Sequence, residues 1–408
     1  MNDRKLAFVL LSTMTLTSMS CSGPSDSVST EGAESVAATG HHPVVLLLMD
    51  GVRVDHQASY GAAATSTPNL DAFAGGAVRF DWAFAQAPDA AASMASLLTA
   101  FYPTTHGLVE PGDRLVDEAG TLPEALAGAG LKTAAFLASG EFFEGRGLEQ
   151  GFDVFEAGPQ ALDGALEWVG QNADSDFFLL IDVGTVSASA VDVDNADAAY
   201  SAQVEALDLS AGRVFEALEA AGLGDKATIA VVSLTGFELG EHTAAGDATL
   251  YSPETHVPML LKSPRLPNVR PVDKIVEVID LGPTLLELLG EEPATELQGR
   301  SLVPLIEGAG MPPYVAFGES AGEEYFAALG GYRLVQHVDS PSELYDLATD
   351  PAEQSDLAAS EERRVAVLED HLGAWKKMVS AASLDPDRRT EELDDEALEQ
   401  LKSLGYIQ

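Results

Sequence analysis

The chain is poor in cysteine, in positive charge and in long apolar runs, and each shortage excludes something. One cysteine, Cys21, among 408 residues rules out a disulfide framework and any site built from several thiolates. Twenty-two Lys and Arg stand against 65 Asp and Glu, a formal net charge of -43. Such a field argues against nucleic acid or an anionic membrane surface as the main partner. Histidine is absent between His106 and His242. Between Arg146 and Arg213 there is no Lys or Arg, yet that stretch carries thirteen Asp and Glu. After the N-terminal segment no apolar run approaches the roughly 20 residues that span a bilayer. What is plentiful is core material: 46% of the residues are hydrophobic, enough for one large domain or two smaller ones.

The N-terminus has the grammar of an export signal. Arg4 and Lys5 precede an apolar stretch, Leu6 to Leu16, and Ser18-Met19-Ser20 then leads to Cys21. A small residue before a lone cysteine suits a bacterial lipoprotein signal, in which Cys21 is lipidated and becomes the mature terminus. Ser18 stands where such signals usually carry Leu, so an ordinary secretory signal is the alternative. Residues 1–20 are read as the signal and 21–40, rich in Ser, Gly, Glu and Ala, as a flexible tether. The expected location is exported, on the periplasmic or cell-surface face, touching the membrane only through lipid at Cys21.

Beyond the tether, strands and helices alternate. Val44 to Met49 is a continuous aliphatic run, as expected of a strand buried on both faces. Lys132–Ala138, Phe177–Val183 and Thr228–Leu234 read as further strands. Leu122–Ala129, Ala161–Val169, Ser201–Ala221 and Asp280–Leu289 read as helices. This order predicts an α/β domain over 41–310 with a large, mostly parallel sheet flanked by helices. From 311 to 408 the grain changes: short candidate strands at Tyr314–Gly318, Tyr325–Leu329 and Tyr332–Val338 suggest a small antiparallel sheet, followed by a charged helical tail ending in Leu398–Tyr406. Parallel sheets place chemistry at the carboxyl ends of their strands, here Asp50, Asp182 and Ser233-Leu234.

The ordered motifs resemble the sulfatase family of the alkaline phosphatase superfamily. Asp50, Arg53, Asp55, His56, Tyr60 and Gly61 follow the family's opening strand. Thr67-Pro68-Asn69-Leu70-Asp71, with Phe80 and Ala83, resembles its next block. Ser96-Leu97-Leu98-Thr99-Ala100, Tyr102-Pro103 and His106-Gly107 resemble the end of its signature. His256-Val257-Pro258-Met259-Leu260-Leu261, the Leu344-Tyr345-Asp346-Leu347 turn with Asp350-Pro351, and Leu404-Gly405-Tyr406 complete the series. The resemblance implies the alkaline phosphatase-like fold, sulfuric-ester hydrolysis, a calcium ion and a formylglycine nucleophile.

At the reactive positions this sequence departs from the family. The residue that becomes formylglycine aligns with Ala90, whose methyl group can be neither oxidised to it nor esterified. The proline and arginine of that signature are Ala92 and Met94; only Ser93 is retained. Of the first metal-ligand pair Asp50 remains beside Gly51, and the later pair aligns with Leu234 and Thr235. The segment that supplies the family's proton-donating histidine has none. The expectation is a degenerate centre with Asp50 as a vestigial ligand or a strand-end hydrogen-bonding group, and no cofactor.

Other polar residues carry quieter expectations. Arg53 is expected to pair with Asp55, or to contact an anion. His56 and His106 are expected to tie loops to backbone carbonyls, and Glu241-His242 to pack near the old metal loop. Asp192, Asp194 and Asp197 read as a solvated acidic loop rather than a calcium loop, which wants a turn glycine and a closing Glu. Glu391–Glu396 reads as a solvated helix start, and Asp89 or Ser93 as a substitute nucleophile only under a shifted alignment. Two functions stay open: a pseudoenzyme that binds an unknown protein or small uncharged or cationic ligand in the former cleft, or a hydrolase of sulfate, phosphonate or phosphate esters with a rearranged site.

Overall fold

A computed structural model describes residues 41–386, apart from 63–64, 111, 141–142, 192–194, 267–269, 294, 310–313 and 322–323. Cys21, the signal and tether segments, Asp192, Asp194 and the tail after 386 lie outside the described residues. The strands are β1 Val44–Asp50, β2 Val78–Phe84, β3 Lys132–Leu137, β4 Val154–Ala157, β5 Phe177–Thr185, β6 Thr228–Ser233, β7 Met259–Lys262 and β8 Val272–Glu277. They form one sheet in the order β4-β3-β5-β1-β6-β7-β2-β8. β7 runs antiparallel to both its neighbours, while the other pairings are parallel.

The apolar run of β1 explains its central place. Val44, Leu46 and Leu48 point into one core layer and Val45, Leu47 and Met49 into the other, all fully buried. Strand periodicity sends alternate residues to opposite faces, and only a strand covered on both sides needs every one of them apolar. The helices Ala90–Thr99, Leu122–Gly128 and Leu281–Leu289 contribute to the first layer; Ala161–Asn172 and Ala196–Ala220 contribute to the second. Thr121 caps the Leu122 helix, accepting from Glu124 N while the Glu124 carboxylate accepts from Thr121 N. The long helix starts at Ala196, one turn before the position expected from Ser201. Its first turn, Ala196-Asp197-Ala198-Ala199, is mostly alanine and carries no amphipathic pattern.

The small sheet is a meander of β9 Ala316–Ser320, β10 Glu324–Leu329, β11 Tyr332–His337 and β12 Glu343–Asp346. One face lies under the helix Glu362–Ala382, whose Trp375 stacks on Phe317 at 5.1 Å and meets Tyr102 edge-on. The other face meets the large sheet through Phe84, Phe326 and Leu250. Among these apolar groups lies Arg333, fully buried. Its guanidinium carbon is 3.8 Å from the centre of the Phe326 ring, and Nε is 3.5 Å from Glu353 Oε1. Its Nη2 donates to Leu250 O and to Thr255 Oγ1. Removing one partner of a buried pair costs about 3–5 kcal/mol, because the other charge is left in apolar surroundings. Glu353→Ala is therefore expected to lose stability on that scale in urea unfolding. Arg333→Met combined with Glu353→Gln should recover most of it.

Candidate functional site

Three neighbouring strands, β5, β1 and β6, end side by side, and their ends build the site. The register sets Asp50 of β1 against Thr185 of β5, and Met49 against Ser233 of β6, two residues before Thr235. Asp50 is buried. Thr235 Oγ1 donates to its Oδ1 and Thr185 Oγ1 to its Oδ2, each at 2.7 Å. Burial raises the Asp50 pKa, against the pull of those two hydroxyls.

More carboxylates share this end of the sheet. Asp182, fully buried, accepts from Ser139 N at 2.7 Å and Gly184 N at 3.0 Å; burial pushes it up to about 6. Glu254 is held well above the usual carboxylate range by burial and by the charges of Asp50 and Glu238, and its Oε2 has no hydrogen-bond partner. Asp89 caps the Ala90 helix, accepting from Ala92 N at 2.8 Å, with Arg146 Nη2 3.7 Å away. Asp182 falls where strand-end reasoning looked. Glu254 and Thr185 were missed, since neither belongs to a motif and both act only through tertiary convergence.

The positions aligned with the nucleophile signature are apolar and packed. Ala90 opens its helix and packs against the core layer that holds Ala92, Met94 and Leu234, these three fully buried. Ser93 Oγ donates to Ala87 O at 2.9 Å, so its hydroxyl is turned to the backbone inside the protein. Gly51 has φ +76°, and a Cβ there would lie 2.9 Å from Val186 Cβ. This backbone thus has no room for a carboxylate at 51. A divalent cation wants several converging oxygen ligands. The groups around Asp50 are hydroxyls already donating to it, and among the described residues no three His, Cys, Asp or Glu are arranged as a metal-holding group.

The basic groups are tied down. Arg53 is nearly buried; Nε and Nη2 grip Asp55 at 2.9 and 2.7 Å, while Nη1 donates to Glu241 at 2.7 Å and to Phe237 O. The pairing with Asp55 is as expected; the guanidinium is directed at these partners and not outward to an anion. His56 corrects its expectation: Nδ1 faces Asp55 at 2.8 Å and Nε2 faces Asp197 at 2.9 Å, carboxylates and not carbonyls, and those bonds raise its pKa against burial. His106 also differs. Nδ1 accepts from Leu108 N, so the proton sits on Nε2 and is shared with Ser96 Oγ at 3.0 Å. Burial holds His106 down to about 3, so it stays neutral. His242 stacks on Tyr251 at 3.8 Å.

Asp50 and Asp182 carry pKa values raised above those of an unfolded chain, so their contribution to stability is full below about pH 4 and is lost as pH rises. For Asp182 the loss passes through about pH 6, and a shift of that size is worth on the order of 3 kcal/mol. Unfolding by urea should therefore show stability falling from about pH 4 and levelling off once the folded-state value of about 6 is passed. Asp50→Asn keeps both neighbours bonded: its carbonyl accepts from Thr235, and its amide donates to Thr185 Oγ1, whose own proton turns to Val186 O at 3.3 Å. That variant should fold and show a shallower loss over the same range.

Comparison with known proteins adds the lineage. The sulfatase family model matches residues 42–291, and the model of the N-sulphoglucosamine sulphohydrolase C-terminal region matches 240–377. A sulfatase of Formosa agariphila is 31% identical over 156 residues, 38% of this chain and 31% of that protein. An N-acetylglucosamine-6-O-sulfatase of Bacteroides thetaiotaomicron is 27% identical over 173 residues, 39% and 31% respectively. The matched stretch thus spans about a third of the length of these relatives. Among solved structures, the phosphonate monoester hydrolase of Agrobacterium radiobacter superposes with a TM-score of 0.70 at 20% identity, covering 83% of this chain and 95% of that one. A structure in complex with its substrate D-glucosamine-2-N,6-O-disulfate gives 0.70 at 18%, covering 86% and 100%. At such identities these structures speak for the fold alone. With the family model spanning well over half of the residues, the chain belongs to the sulfatase family, within the alkaline phosphatase superfamily.

Proposed function

We propose that this chain is a non-catalytic sulfatase-family protein, exported and lipid-anchored at Cys21, that binds a partner or an uncharged or cationic ligand with the inherited scaffold. The observation that carries the reading is the state of Asp50: both its oxygens receive threonine hydroxyls, where the family resemblance calls for a cation. Around it, Ala90 supplies no nucleophile, Leu234 is committed to the core, and position 51 has no space for a second carboxylate.

Magnitude supports the same reading. Loss of one electrostatic stabiliser of a transition state typically costs ~10²–10³ in rate. Here the metal-ligand set, the nucleophile and its signature arginine are replaced together, and such groups act as a unit. An anionic ester brought to this end of the sheet would find buried acidic groups, Asp50 and Glu254, where the family resemblance calls for a cation, and an arginine, Arg53, already bonded to Asp55 and Glu241.

The test is direct. Purified full-length protein is assayed with 4-nitrophenyl sulfate, phosphate and phenylphosphonate, with and without calcium, manganese or zinc, and its metal content is measured by elemental analysis. The expected result is no turnover above background and substoichiometric metal; Ala90→Cys alone should restore nothing, since Ala92 and Met94 leave the modification signature incomplete. Metal-dependent turnover that disappears in Asp50→Ala would overturn the reading in favour of a hydrolase with a rearranged site.

A further inference from the structure

A cavity of about 340 Å³ opens between the loop that follows β6 and the edge of the small sheet, lined by His242, Thr243, Ala248, Thr249, Tyr251, Ser320 and Glu324. Its lining offers three hydroxyls, an aromatic ring and a carboxylate, with no Lys or Arg. The imidazole does not supply a free positive group. His242 Nε2 donates to Glu353 O at 3.0 Å and Nδ1 faces Glu238 at 3.4 Å, so its charge is already balanced by a carboxylate. Glu324 keeps one oxygen toward His337 Nδ1 at 2.8 Å, leaving the second for another donor. Behind the wall, Tyr251 and Tyr345 both donate to Glu343 Oε2 at 2.7 Å, which adds another negative group to the same neighbourhood. Thr249 lines the cavity and is buried, and its Oγ1 has no hydrogen-bond partner.

We propose that this cavity is a binding site for a small primary ammonium compound of up to about ten heavy atoms, its nitrogen held by Glu324 and the hydroxyls of Ser320 and Thr249 against the Tyr251 wall. An ammonium brings three donors and one positive charge, which matches a wall rich in acceptors and short of cations. The chain's formal charge of -43 favours approach of a cation and opposes an anion of the same size. The assignment concerns the β6 loop and the small sheet and holds whether or not the Asp50 centre turns over an ester.

Three probes of equal length separate charge from shape: 6-amino-1-hexanol, 1,6-hexanediol and 6-hydroxyhexanoate, titrated calorimetrically into the full-length protein at about 0.1 M salt, where diffuse attraction is damped. The amine is expected to bind with a submillimolar Kd, with the diol at least tenfold weaker and the carboxylate weakest. Glu324→Gln should weaken the amine at least tenfold. Asp273→Asn, which removes an equal charge at a side chain 79% exposed elsewhere, should leave it unchanged. Thr243→Trp, at an exposed rim position, should block the cavity with the fold intact, which covers the case in which Glu324→Gln misfolds. Equal affinity for amine and diol, or amine binding untouched by both Glu324→Gln and Thr243→Trp, overturns the proposal.

Discussion

The pairing of Arg333 with Glu353 is the constraint on which the site depends. Glu353 sits at φ +55°, a conformation that a residue with a side chain adopts only when its surroundings insist. Here they do: its carboxylate accepts from Ser252 N and Oγ, and its carbonyl accepts from His242. Arg333, reaching in from β11, binds Leu250 O and Thr255 Oγ1 on the same segment. Between them these two residues fasten the loop bearing His242 and Glu254 to the small sheet. Burial pushes the Arg333 guanidinium down to about 10, still far enough up to keep it charged. A buried pair is poor evidence of net stability, but it is strict about geometry, since neither charge tolerates losing the other.

Electrostatics at the strand ends follow from that closure. The loop brings Glu254 within reach of the charge of Asp50, which Asp182 also feels, and burial is the leading cause of the raised pKa of each. The nearby guanidinium of Arg53 is spent on Asp55 and Glu241. Threonine hydroxyls bond both oxygens of Asp50, and the backbone amides of Ser139 and Gly184 bond Asp182. The hydrogen-bonding needs of these two carboxylates are met from within the protein.

Much of the fold was legible because its strongest signals are those of burial. The aliphatic run of β1 suits a strand covered on both faces, and the helix read at Leu122–Ala129 is found at Leu122–Gly128. The strands with little to announce them are those that bury less. β4 lies at the sheet edge with half its residues exposed, and β8 presents Asp273 and Lys274 to solvent. At the site, motif order was readable and gave Asp50, Ala90 and Leu234 their places. The partners were not readable: Thr185 reaches Asp50 across 135 residues, and Asp197 reaches His56 across 141. Separations of that length leave no trace in local periodicity. For the histidines, spacing said nothing about whether a carbonyl or a carboxylate would stand opposite.

The reversed direction of β7 has a consequence for how such a protein changes over time. Because β6 and β7 are antiparallel neighbours, the chain between them leaves and re-enters the sheet at the same end of those two strands. Changes at its exposed positions, Thr243, Ala244, Asp247 and Ala248, alter that end without asking the sheet to repack. A lineage with this arrangement can exchange its chemistry wholesale while its scaffold stands still.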